Sequence, residues 1–182
     1  MTWNGSDLVL GVADDLGGHV EVSGLREAIA PLATPLIVGP SQDGDVVTAG
    51  FAAEPDQAER DAIDAAVVTY AAGALDRAKK ERRSTHSKDF TDMIYAHYAA
   101  PQQTSLGIWR SEARHDGLTN RADYIGQGLA WVMACFTSHY AKNDEIDAQA
   151  TVDDVTAVVW DYAALEAQDP KVDLRTALAI PD

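Results

Sequence analysis

Basic residues are what this sequence has least of. Its 182 residues include 5 Lys and 9 Arg against 21 Asp and 8 Glu, a formal net charge of −15. A chain this acidic repels duplex nucleic acid and anionic lipid, which both bind through neutralising cations. Cysteine is nearly absent: Cys135 stands alone, so neither an internal disulfide nor a thiolate metal site can form. It falls in the apolar run 129–136 and reads as a small buried hydrophobe. No segment approaches the ~18 apolar residues of a membrane span. Met1-Thr2-Trp3-Asn4 has neither the basic start nor the apolar stretch of a signal peptide. The expectation is a soluble protein made in the cytoplasm. An apolar content of 46% supports a packed core and argues against disorder.

Motifs that carry chemistry are also missing. Five histidines (His19, His86, His97, His115, His139) form no His-x-x-x-His or Glu-x-x-His pair. There is no Gly-x-Ser-x-Gly elbow and no Walker A pattern. Gly126-Gln127-Gly128 lies inside a predicted helix with no strand before it, which excludes a dinucleotide loop and points to close helix packing. Asp14-Asp15 falls in a predicted turn and Asp153-Asp154 in a predicted first helical turn, where acids are locally favoured. His97 reads as a structural histidine on a buried helix face, and His139 as a complement to a helix C-terminal dipole. The sequence therefore assigns no catalytic residue, cofactor, metal or small-molecule substrate. The alternative is a small helical enzyme or ligand-binding regulator whose site is assembled from distant residues. It requires two or more of His97, Asp92, His115 and Asp123 to converge on a pocket; a triad of Ser87, His97 and Asp92 is a weaker version.

The fold class expected is α+β, predominantly α, in three parts. Residues 1–53 read as a strand-rich unit: strands at 8–12 and 19–22 around a turn at 14–18, a helix from Leu25 to Leu32 capped by Ser23, and a hairpin of 34–38 with 45–51 across the loop 39–44. Residues 54–100 read as a long connecting helix. Ile63, Val67, Tyr70, Ala74 and Ala78 form an apolar stripe, and the helix runs unbroken from Pro55 to Arg83. Ser84-Thr85-His86-Ser87 is a predicted break, with a second helix over 90–99. Residues 101–182 read as a helical bundle: a linker at 101–105, a short helix over 106–114, and a central helix over 121–142. The apolar set of that helix (Ile125, Leu129, Val132, Met133, Phe136, Tyr140) covers most of its circumference, which predicts burial on several sides. A helix capped by Thr151 carries Val155, Val158, Val159, Tyr162 and Leu165 as its buried stripe, and a loosely held arm with one turn at 174–178 ends the chain.

The scarce positive charge is clustered. Arg77, Lys79, Lys80, Arg82, Arg83 and Lys88 lie within twelve residues that hold one acid, Glu81, so this window carries +5 and the rest of the chain −20. Like charges so placed repel one another unless something anionic faces them. Three readings follow: a solvated helix end, a dock for the acidic face of another copy such as 143–182, or a nucleic-acid contact disfavoured by the surrounding −20. Trp109 is the aromatic candidate for a partner anchor, with core packing as its other reading.

The strand Val46-Val47-Thr48-Ala49-Gly50-Phe51, followed by Ala52-Ala53-Glu54-Pro55-Asp56-Gln57-Ala58-Glu59 opening an Ala/Asp-rich helix, resembles structural proteins of tailed bacteriophages over residues 20–75. The resemblance implies a non-enzymatic, multi-copy virion component of the neck, tail or fibre-attachment region, trimeric or ring-forming. It carries no functional residues across. The function expected is thus a structural assembly subunit acting on copies of itself and on other structural proteins.

Overall fold

The structure, a computed structural model, describes residues 1–32 and 36–181. The fold is α+β and predominantly α; among the described residues four strands form one N-terminal sheet and long helices follow them. The chain divides into two compact units. Met1–Arg82 with Gln149–Val158 makes the first, and Arg83–Ala148 with Val159–Asp182 the second.

In the first unit, strands β1 (Thr2–Asn4), β2 (Asp7–Gly11), β3 (Leu36–Asp43) and β4 (Val46–Phe51) form an antiparallel sheet in the order β1-β2-β4-β3. Alternation sets the register. Leu8 and Leu10 of β2 are fully buried, facing Ala49 and Val47 of β4, while Val9 between them is half-exposed. β3 and β4 turn through Gly44-Asp45, with Gly44 at φ +57°, a backbone that favours glycine in a two-residue hairpin loop. The expected loop 39–44 is mostly strand. Pro40 sits where the β3–β4 register shifts, as a residue without an N–H must. Thr34 and Pro35 of the expected hairpin lie outside the described residues.

The buried face of the sheet meets three helices: α1 (Val12–Leu16), α2 (Val22–Ile29) and α3 (Gln57–Ala72). Leu16, Leu25, Ile29, Ile63 and Val67 complete this core, each contributing about 1.5–3 kcal/mol by burial. α1 replaces the predicted turn at 14–18. It ends at Gly17 (φ +70°), where an added Cβ would stand 2.9 Å from the Ala71 carbonyl oxygen. The strand expected at 19–22 is absent because Val22 already begins α2. Ser23 does not cap that helix; its hydroxyl donates to Glu21 at 3.1 Å. A 3₁₀ turn, Ala30–Leu32, follows.

α3 starts on a capping box. Asp56 accepts from the Glu59 N–H at 2.9 Å, and Glu59 accepts from the Asp56 N–H at 2.9 Å. The expected unbroken helix 55–83 is instead two helices, since α3 stops at Gly73 and α4 (Ala74–His97) starts after it. Nor does α4 break at 84–87. His86 is fully buried there, and its packing outweighs the weak helix preference of the hydroxyl residues. α7 (Val152–Ala157) returns to this unit, capped by Thr151, whose hydroxyl accepts from the Asp154 N–H at 3.1 Å.

The second unit is built on α5 (Ala100–His115), which packs against α6 (Thr119–Ala148), with the later part of α4 and two short helices, α8 (Ala163–Glu166) and α9 (Leu174–Leu178). The predicted linker 101–105 is the first turn of α5. Pro101 is tolerated there, and the Gln102 side chain accepts from the Ala99 N–H at 2.8 Å. Phe90, Ile94, Tyr98, Leu106, Ile125, Trp131, Val132 and Cys135 form the core. Gly128 fits under the C-terminal arm, where an added Cβ would meet Val172 at 3.1 Å, the close packing its sequence context predicts. The helix expected to carry Val155 through Leu165 stops at Ala157, and Val159 is 73% exposed. The arm is not loose. Val172 and Ala177 are buried, and Arg121 donates to the Leu178 carbonyl at 3.2 Å.

Candidate functional site

Much of the basic window turns toward its own chain. The Arg77 guanidinium lies 3.6 Å from the centre of the Tyr70 ring and donates to the carbonyls of Tyr70 at 2.6 Å and His19 at 3.3 Å. Arg82 donates through Nε to the Val158 carbonyl at 3.0 Å, and through Nη2 as well. Arg83 pairs with Asp147 at 3.0 Å. Lys79 is half-buried, whereas Lys80 and Lys88 are exposed. Three of the six cations thus close carbonyls or a carboxylate of the same chain. Trp109 is half-buried against the second core and lines a recess with α6 and α9.

The residues required by the alternative reading are not brought together. Asp92, His115 and Asp123 are exposed, and His97 meets different partners. Its Nδ1 lies 2.7 Å from Asp169, and its Nε2 lies 3.5 Å from Glu166. Asp169 also accepts from the Tyr98 hydroxyl at 3.0 Å and the Lys171 N–H at 2.9 Å. Burial opposes the Asp169 charge, but those three donors outweigh it and hold the carboxyl below its usual range. Burial, reinforced by Asp169, pushes the Tyr98 phenol up to about 12 even though the Val172 N–H opposes the shift. This network fastens the arm, because Tyr98 also accepts from the Val172 N–H at 2.9 Å.

A second buried group joins His86 and His139, whose rings stack with centres 4.7 Å apart. Asn143 bridges them. Its oxygen lies 3.0 Å from His86 Nδ1, which must therefore donate, and its nitrogen lies 3.1 Å from His139 Nε2, which must accept. His139 is not near a helix end as expected, since α6 runs nine residues further. Burial, and then the neighbouring His86, lowers its pKa. Phe90 stacks on it at 4.3 Å and Trp160 tilts against His86 at 4.8 Å. Among the described residues no group of three or more His, Cys, Asp or Glu is placed to hold a metal ion. No helix of the described residues is long and apolar enough to cross a membrane.

The feature that sequence reasoning misjudged is the outer face of α6. Met133 is 58% and Tyr140 62% exposed, although the all-round apolar pattern predicts burial. Ala130, Ala134, Thr137, Ser138 and Ala141 are exposed beside them, with Leu129 and Phe136 half-buried. The signal was present as an absence: residues 124–141 contain no Asp, Glu, Lys or Arg, in a chain that is 24% charged. Leu129, Met133, Phe136 and Tyr140 follow steps of 4, 3 and 4, the spacing of a helix-pairing seam. Gly126, one step earlier, is buried beneath Arg110 of α5. The seam therefore continues from a covered stretch into an uncovered one.

No family model, curated protein or solved structure matches the chain.

Proposed function

We propose that this protein is a non-enzymatic assembly subunit that associates with copies of itself through the outer face of α6. The observation that supports it is the uncharged, partly apolar face over 127–141. In a molecule of net charge −15, two copies repel each other least where neither surface carries charge. The face is also self-complementary in shape. The large side chains of Met133, Phe136 and Tyr140 run beside the small ones of Ala130, Ala134 and Ala141, so pairing about a two-fold axis parallel to α6 sets each large row on the partner's small row.

The size of the face suits a multi-copy structure. Fifteen helical residues span about 22 Å at a width of roughly 10 Å, well short of the ~800 Å² per partner of a stable pairwise complex. Such contacts hold when many act together. The resemblance of residues 20–75 to structural proteins of tailed bacteriophages supports a virion setting, in the neck, tail or fibre-attachment region. Lys80 and Lys88 remain available for a secondary, salt-sensitive contact with an acidic neighbour.

The test is the native mass of Met133→Glu and Tyr140→Glu against the parent and against Lys80→Gln with Lys88→Gln. The proposal expects either face variant to reduce self-association and the lysine pair to leave it nearly unchanged. The opposite pattern returns the contact to the basic window.

A further inference from the structure

We propose that the recess beside Trp109 binds a small amphipathic organic cation, an ammonium carried on a flat apolar body. This goes beyond an assembly role and does not depend on it. The recess has a volume of 330 Å³ and lies between the end of α5, the start of α6 and α9. That is the low end of the range for ligand pockets, which limits the occupant to about the size of a single aromatic amine.

The floor is apolar: Ala113, Ile125 and Ala177 are each 3% exposed or less. Trp109 forms one wall, a surface on which a flat ring packs and over which a cation is attracted to the indole face. Glu112 and Asp116 complete the lining one helical turn apart, both exposed. Among the described residues neither carboxylate makes a side-chain hydrogen bond or ion pair, so both are free to meet a donor. Asp116 is also the C-cap of α5, where the partial negative charge of the helix end favours a cation.

Among the described residues the one cation in the lining is Arg121. It is engaged elsewhere, donating to the carbonyls of Leu178 at 3.2 Å and Ile180 at 3.5 Å. Two carboxylates against one tethered guanidinium leave the recess net negative. An anionic ligand would meet Glu112 and Asp116 without an unoccupied counter-charge, and an uncharged one would forgo both. The overall charge of −15 further raises the local concentration of a cation.

The experiment titrates the full-length chain with phenethylamine, 2-phenylethanol and 3-phenylpropionate, which share a ring and differ in charge. Binding is read by calorimetry and by the Trp109 indole N–H resonance, identified through its loss in Trp109→Phe. The expected result is saturable binding of phenethylamine that moves this resonance, with the alcohol about five- to tenfold weaker and the carboxylate not binding. Glu112→Gln combined with Asp116→Asn, both at exposed positions, should bring the amine down to the level of the alcohol. The proposal is overturned if the amine leaves the resonance unmoved at millimolar concentration, if the carboxylate binds as well as the amine, or if the double variant binds the amine unchanged.

Discussion

Replacing Asp169 with Asn tests how the second unit holds its C-terminal arm. The side chain is 5% exposed and accepts from three donors: His97 Nδ1 at 2.7 Å, the Tyr98 hydroxyl at 3.0 Å and the Lys171 N–H at 2.9 Å. Asn keeps the shape, but it loses the charge and turns one acceptor oxygen into a donor facing another donor. Bonds to a charged group contribute about 1.5–3 kcal/mol each against ~1 for neutral ones. With one bond lost and the others weakened, the expected cost is about 2–3 kcal/mol. For a chain of this length that lowers Tm by about 5–10 °C, read by circular dichroism at neutral pH. The pH dependence supplies an internal control. The Asp169 carboxyl is held below its ordinary pKa, so its stabilisation is present in full above the unfolded value near ~3.9 and fades as pH falls through the depressed folded value. The gap between parent and variant should close in that acid range. A variant within about 0.5 kcal/mol of the parent, or a gap that stays constant into strong acid, refutes the reasoning.

Two glycines in neighbouring helices should respond oppositely to Ala. Gly128→Ala drives a Cβ to 3.1 Å from Val172 and should cost about 1–2 kcal/mol, whereas Gly107→Ala meets nothing within 4 Å and should stabilise by up to ~1 kcal/mol in chemical denaturation. His139, whose pKa is lowered mainly by burial, contributes stability that is complete above the unfolded value near ~6.5 and lost as pH drops below it. His139→Phe should flatten that part of the stability profile, and an unchanged slope would assign it to another group. Cys135 is fully buried, and burial with the Asp169 charge pushes its thiol up to about 11, so a thiol reagent at mildly alkaline pH should label it only as fast as the chain unfolds. Rapid labelling of the folded protein would contradict that burial.

The parts legible in the sequence were those where local pattern and tertiary packing agree. The alternation in 8–12 and 45–51, the Thr151 cap and the glycine packing at 128 are of this kind. Where they disagree, packing wins. Ser84-Thr85-His86-Ser87 looks like a helix break, yet burying His86 against His139 and Trp160 holds it helical. Gly73 falls inside the helix expected to run unbroken from Pro55 to Arg83 and instead ends α3. The basic window was visible as a charge cluster, but not the carbonyls of Tyr70, His19 and Val158 that Arg77 and Arg82 satisfy, because those lie up to 76 residues away in the chain. The α6 face was masked by its composition. Apolar residues all round a helix predict burial, and hydrophobicity does not distinguish a side buried in the fold from a side left open.

The measurement that bears most directly on assembly through α6 is native mass by light scattering across a range of protein concentrations, at low and at high salt. Contact through an uncharged face predicts a mass that rises with concentration toward a multiple of the 19.5 kDa chain and persists, or strengthens, at high salt as repulsion between acidic copies is screened. A chain that stays at 19.5 kDa throughout, or an oligomer that dissociates as salt rises, contradicts it.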